Sequence, residues 1–168
     1  MEIDEMLITR LKDRPGQLKL AMLILRSGLS VDKEGVHCGD IDISAKALAK
    51  SAGVDWRTIT ATVDTIVRDP ELSKIFLNLR PTASYIQVAS VVGWHVISVT
   101  VSSGKDKPGV LANIIGLIGD AKINIKQVIV EDVGTQTKKA FIITERPLPG
   151  DVYNDITSRK IVDAITIY

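Results

Sequence analysis

The sequence predicts an α+β fold in two parts. A helical N-terminal half carries a small hairpin, and a C-terminal half runs strand, helix, strand, strand, helix, strand. Three observations lead there. Apolar residues before residue 94 recur mostly at helical spacing, and after it they alternate in strand-length runs. A short helix, a glycine turn and a longer helix follow one another between Ala45 and Val67. The stretch Asp106-Lys107-Pro108-Gly109-Val110-Leu111 joins a clean strand pattern to a long apolar helix pattern.

Composition narrows the class. The chain has 168 residues, enough for one ordinary domain or two small ones. It is 45% hydrophobic and 24% charged, so it can bury a core and does not read as disordered. A net charge of +1 argues neither for nor against a nucleic-acid partner. One cysteine, Cys38, excludes an internal disulfide and suits a reducing cytoplasm. The acidic start has no signal-peptide core, and the apolar run Leu18 to Leu25 is too short to span a bilayer, so no membrane partner is expected.

Residues 1–14 read as a weak helix with Met6, Leu7 and Leu11 on one side. Pro15-Gly16 opens a second helix, Gln17 to Ser27, with Leu18, Ala21, Met22 and Leu25 as its face. Gly28 closes it. Asp13-Arg14-Pro15-Gly16-Gln17-Leu18 echoes Asp106 to Leu111, but no strand precedes it, which weighs against an internal repeat. Leu29-Ser30-Val31 and Val36 to Ile43 read as a hairpin about the turn Lys33-Glu34-Gly35. His37-Cys38 lacks the further ligands a zinc site needs and reads as ordinary strand.

Ser44 caps a short helix that turns inward through Leu48, Ala49 and Ala52. Gly53 breaks it, and Asp55 caps a helix from Trp56 to Val67 with Ile59, Val63, Ile66 and Val67 on one stripe. Small Ala49, turn-forming Gly53 and core Ile59 have the spacing of a helix-turn-helix. Thr62 stands where an apolar residue is usual. In a DNA reader the second helix would present Trp56, Arg57, Thr58, Thr60 and Ala61 to the major groove. Residues 1–93 carry 12 Lys+Arg against 12 Asp+Glu, poor electrostatics for phosphate neutralisation. A helical module that binds protein, or only dimerises, is the rival. Glu71 to Leu79 reads as another helix, as does Ala83 to Val92, and Gly93 marks the domain boundary: 1–93 helix-turn-helix-like (winged-helix-like), 94–168 the β-rich module.

In that module Ile97, Val99 and Val101 share one strand face, and Ile123 to Glu131, Lys139 to Arg146 and Val162 to Tyr168 are further strands. Helices are expected at 108–121 and from Asp151 to Arg159, with a polar loop at Gly134-Thr135-Gln136-Thr137. This order in about 75 residues predicts a ferredoxin-like sandwich, one four-stranded antiparallel sheet under two helices. Pro108 fits the first turn of its helix, Asp106 is placed to cap it, and Gly109 leaves the first amides bare, a ready anion site. Gly116 and Gly119 inside that helix imply close packing, at a dimer seam or on the sheet beneath.

Asp106-x-Pro108-Gly109-Val110-Leu111, followed about a dozen residues later by Ile123-Asn124-Ile125, resembles the ACT domain. The whole chain resembles the archaeal predicted regulators of amino-acid metabolism, through Val54-Asp55-x-Arg57 and the Cys38-Gly39 hairpin. Trp56 stands where that pattern has a first arginine. The resemblance implies a homodimer or higher homo-oligomer built through ACT domains and an amino acid held by Asp106, Lys107, Pro108, Gly109, Val110 and Leu111. Ile123, Asn124 and Ile125 would close the site from a partner subunit. The expected function is an amino-acid-responsive allosteric regulator, with transcriptional output through DNA or, alternatively, direct contact with a metabolic enzyme. No cofactor, metal or catalytic residue is expected: there is no nucleophile–base pair and no phosphate loop, and the two histidines lie in different modules.

Overall fold

The computed structural model describes residues 3–102, 104–132, 137–158 and 162–168. The polar loop expected at Gly134 to Gln136 and the helix end expected at Arg159 lie outside them. The fold is mixed α+β, with seven α-helices and two antiparallel sheets among the described residues. It divides into two compact units, Met1–Ala83 and Ser84–Tyr168. The division falls at 83/84, where the sequence pattern placed it at 93/94.

The first unit contains α1 (Ile3–Leu11), α2 (Pro15–Arg26), β1 (Ser30–Val31), β2 (Val36–Cys38), β3 (Ile41–Ile43), α3 (Ala45–Ala52), α4 (Trp56–Arg68) and α5 (Pro70–Leu77). Its core joins every helix through Leu7, Leu20, Leu48, Ile66 and Phe76. The α2 helix buries Leu20, Ala21 and Ile24, whereas Leu18, Met22 and Leu25 are only half-buried. The expected face was therefore off by part of a turn. A helix apolar nearly all round has no stripe in its sequence, and its neighbours choose which side goes inward. The expected hairpin is a three-stranded sheet, because Gly39-Asp40 turns the run Val36 to Ile43 back on itself.

The two expected caps are present: Ser44 accepts from the Ala47 amide at 3.2 Å and Asp55 from Arg57 at 2.9 Å. Asp69 adds a cap the sequence pattern did not mark, accepting from both Glu71 and Leu72 at 3.0 Å at the start of α5. Gly53 takes the left-handed conformation (φ 62°) that lets α3 end and α4 begin within a few residues. Thr62 is fully buried, and its hydroxyl donates to the Thr58 carbonyl at 2.6 Å. The polar residue at an apolar position is thus satisfied within its own helix, with its methyl left for the core.

The second unit begins with a strap. Ala83 to Val92 forms no long helix; only Ala89–Val92 winds, as one 3₁₀ turn. The Tyr85 amide donates to the Gln127 side chain at 2.9 Å, and Ile86, Ala89 and Trp94 pack on Val96, Phe141 and Ile143. That packing, and not helical periodicity, sets the path of this segment. Then come β4 (His95–Ser102), α6 (Val110–Asp120), β5 (Ile125–Asp132), β6 (Thr137–Thr144), α7 (Gly150–Ser158) and β7 (Ala164–Ile167). The sheet order is β5-β6-β4-β7, antiparallel throughout. One sheet face packs Ile97, Val99, Val101 and Ile142 against Ile114 and Ile118 of α6 and Val152 and Ile156 of α7. The strap covers part of the other face, so the first half of β4 is buried on both sides. Among the described residues no helix is long and apolar enough to cross a membrane.

The three-stranded sheet contains a titrating latch. His37 Nε2 lies 2.9 Å from Asp32 and Nδ1 lies 2.9 Å from Asp42. Asp32 also accepts the Glu34 and Gly35 amides. The Asp32 carboxylate, above all, raises the His37 pKa over its usual 6.5, and His37 in turn holds Asp32 below the ordinary carboxylate range. A raised histidine pKa adds stability that is complete below pH 6.5 and is lost as pH climbs through the folded value; the depressed Asp32 loses its share only in acid. Urea midpoints for the natural protein and His37→Leu, compared between pH 5.5 and 8.5, should show an advantage for histidine at the acid end that shrinks as pH rises.

Candidate functional site

The register of β4 and β6 builds the site. Val101 faces Lys138 and Val99 faces Ala140 across the ladder, and directly paired residues share a sheet face. Lys138 therefore rises on the side that carries α6. Val130 of β5 pairs with Ala140 and shares that face. Above them lie Val110, Leu111 and Ile114 of α6, and between helix and sheet is a cavity of about 150 Å³. Ala140 is small and α6 starts late, so the first helical turn does not fill the space.

At the mouth, Lys138 Nζ lies 2.8 Å from Asp106 Oδ2, with side-chain exposures of 48% and 35%. Asp106 does not cap α6 as expected. Gly109 is the N-cap, at φ +95°, with no side chain to bond the first turn. Pro108 falls before the cap and not in the first turn. The Val110 amide bonds the Lys107 carbonyl at 3.1 Å and the Asn113 amide bonds the Gly109 carbonyl at 2.9 Å, so the helix begins where its apolar pattern begins, two residues later than a first turn at Pro108 implied. Asp106 is then too far upstream to reach the first turn, and its carboxylate is held by Lys138. Behind it the loop is pinned by Asp163, which accepts from the Lys105 ammonium and the Ser102 amide. Lys105 leads in holding the Asp163 carboxyl below its usual range.

Of the expected ligand contacts, Asp106, Val110 and Leu111 line the cavity, while Lys107, Pro108 and Gly109 are exposed on the loop beside it. Ile123 is buried in the core and Ile125 packs against it. Asn124 is exposed; its side-chain amide donates to Glu145 Oε2 at 2.9 Å and its backbone amide to Oε1 at 3.3 Å. The side-chain bond is the main reason the Glu145 carboxyl stays below its usual range. Asn124 precedes β5 and Asp132, at the other end, pairs with Lys138. At about 3.3 Å per residue the eight steps between them span roughly 26 Å. Within one chain Asn124 does not meet Asp106. Lys138, Val130 and Ala140 were missed. The signal was the period-two run Lys138-Ala140-Ile142, legible only once β6 is paired with β4.

In the first unit α4 exposes Trp56 (60%), Arg57, Thr60 and Ala61, and leaves Thr58 half-buried. The Arg57 guanidinium lies 5.9 Å from the Trp56 ring centre. Arg57, Thr58 and Ala61 share a cleft of about 320 Å³ with Arg14, Pro15, Gly16 and Gln17. The first Asp-Arg-Pro-Gly turn thus faces the start of α4, which periodicity could not reveal. Two other arginines near this helix are already paired: Arg10 with Asp69 and Glu71, and Arg68 with Asp64 at 3.8 Å.

No family model matches the sequence, and no curated protein does. Among solved structures, the crystal structure of PH0061 is similar over 88% of each chain, at 15% identity and a TM-score of 0.28. Likeness at that level carries no weight for the site.

Two glycines of the loop and helix should respond oppositely to alanine. A Cβ at Gly109 or at Gly116 meets nothing within 4 Å. At Gly109 only the positive φ opposes a side chain, so Gly109→Ala should destabilise by about 1–2 kcal/mol. Gly116 lies inside α6, so wherever no second copy packs on it Gly116→Ala should stabilise by about 1 kcal/mol, and a loss of stability instead marks packing against a copy. Urea unfolding of the two variants checks both signs.

Proposed function

We propose that the protein is an amino-acid-responsive allosteric regulator whose C-terminal unit is a ligand-sensing ACT domain. The carrying observation is the apolar cavity under the first turn of α6, with one carboxylate and one ammonium side by side at its mouth. An α-amino acid has the complementary pair of charges. The sheet order β5-β6-β4-β7 under α6 and α7 supports a ferredoxin-like reading of this unit.

Pairing of two such units supplies what one lacks. Ala112, Gly116 and Gly119 are exposed along α6, and neither glycine is crowded from below. Close approach to the sheet therefore does not account for them, and contact with a second copy does. Pairing would also bring a partner's Asn124 region toward the Asp106 loop. Ligand bound between copies favours one arrangement, and that difference in affinity is the coupling.

The output we favour is DNA. The unit α3–Gly53–α4 presents Trp56, Arg57, Thr60 and Ala61 outward, and Arg14 and Arg57 line one cleft. Contact with a metabolic enzyme is the second reading, favoured by the neutralised Arg10 and Arg68. Neither reading assigns catalysis to the protein.

A thermal-shift screen of the twenty amino acids should find at least one that stabilises the protein. At a hundredfold excess over Kd the gain is about 2.7 kcal/mol, on the order of 10 °C for a unit of this size. Asp106→Ala should abolish most of that shift; no shift with any amino acid removes the proposal. Fluorescence anisotropy with random duplex should show binding at low salt that weakens as salt rises. Absence of binding even at low salt selects the enzyme-contact reading.

A further inference from the structure

We infer that the α6 cavity takes the side chain of a branched aliphatic amino acid of the size of leucine or isoleucine, with the ligand's ammonium at Asp106 and its carboxylate at Lys138. The inference rests on the amino-acid reading above and narrows it to a side-chain class and to an orientation.

Chemistry of the wall decides the class. Apart from Asp106 and Lys138 at the mouth, the lining is aliphatic, from Val99 and Val101 on the floor to Leu111 and Ile114 in the roof. A ligand hydroxyl, amide or charge pushed inside would lose water without gaining a partner, so serine, asparagine, aspartate and lysine are rejected. Size decides within the class. An apolar protein cavity near 150 Å³ holds about one benzene ring, six carbons. Four carbons of leucine or isoleucine fit with room to settle. The seven-carbon benzyl group of phenylalanine overfills the space, and the methyl of alanine leaves most of it empty.

The charges decide the orientation. Asp106 and Lys138 are a half-exposed pair, a kind whose mutual attraction is weak against water. A zwitterion can open it and replace each charge with its own. The ligand's ammonium then takes the place of Lys138 at Asp106, its carboxylate takes the place of Asp106 at Lys138, and its side chain is led under α6. An oxo acid lacks the ammonium and leaves its carboxylate near Asp106, so it binds poorly. An amine without a carboxylate displaces Lys138 from Asp106 and offers it nothing in exchange.

Calorimetric titration of the whole protein tests this, using leucine, isoleucine, valine, alanine, phenylalanine, aspartate, lysine and 4-methyl-2-oxopentanoate. Each buried carbon contributes about fourfold in affinity, so leucine should bind roughly 60-fold tighter than alanine. The oxo acid should bind leucine's site at least tenfold more weakly than leucine. Lys138→Met and Val130→Phe should each weaken leucine at least tenfold. Val130 is half-exposed on an edge strand, so its variant should fold; if it does not, Lys138→Met and the leucine-to-alanine ratio still decide. Preference for a charged or aromatic amino acid, a flat series, or leucine binding untouched by both substitutions overturns this inference while leaving the amino-acid reading standing. Failure of every amino acid to bind removes both.

Discussion

The antiparallel register between β4 and β6 is the constraint on which the candidate site depends. It sets Val101 opposite Lys138 and Ser102 opposite Thr137. A slip of one residue would carry Lys138 to the other face of the sheet, away from Asp106, and would turn Ile142 out of the core. Such a slip is opposed from several sides at once. β4 is paired along both edges, with β6 and with β7, and its first half is buried on both faces. A polar atom there must find a partner in place. The Ser98 hydroxyl lies 3.5 Å from the Tyr168 hydroxyl, and Thr144 donates to the Arg146 carbonyl at 2.8 Å. The floor of the site is thus a strand held along both edges.

The strap before β4 belongs to the same logic. A four-stranded sheet with helices on one face exposes its other face, and here that face contains Val96, Phe141 and Ile143. Residues 84–94 cover one end of it. Tyr168 lies against Phe141 at 6.0 Å between ring centres, and the Lys139 ammonium reaches over both rings and bonds the Tyr168 hydroxyl at 2.8 Å. That ammonium is the main reason the tyrosine pKa is lowered. Lys138 and Lys139 are neighbours in sequence, yet alternation sends one to the cavity and the other to the opposite side. Two adjacent lysines therefore have unrelated roles.

Much of the local structure was legible because its causes are local. Ser44 and Asp55 bond amides two or three residues ahead, and Gly53 supplies a positive φ at its own position. Strand alternation at Ile97, Val99 and Val101 placed all three in the core. The misreadings arose where the cause is distant. Leu18, Met22 and Leu25 look as inward as Leu20 and Ile24 until the helices around α2 are in place. Ala83 to Val92 has helical spacing, but contact with the sheet outweighs a weak propensity. Asp106 looks like a cap because Pro108 resembles a first helical residue; the distant Lys138 and the left-handed Gly109 move the helix start forward. Thr62 looked out of place only because its carbonyl partner, one turn back, cannot be seen in a pattern of apolar residues.

By itself the sequence determined the period of most elements, the caps at Ser44 and Asp55, the turn at Gly53 and the presence of a strand-to-helix connection between Val101 and Val110, since these depend on residues a few positions apart. Tertiary structure alone decided that Lys138 meets Asp106, that an unfilled space lies beneath Val110 and Leu111, and that Asn124 stands at the far end of the sheet. Each of those facts is a distance between residues remote along the chain, set by strand register and by how far side chains fill the gap between helix and sheet. No spacing rule along a single chain contains that information.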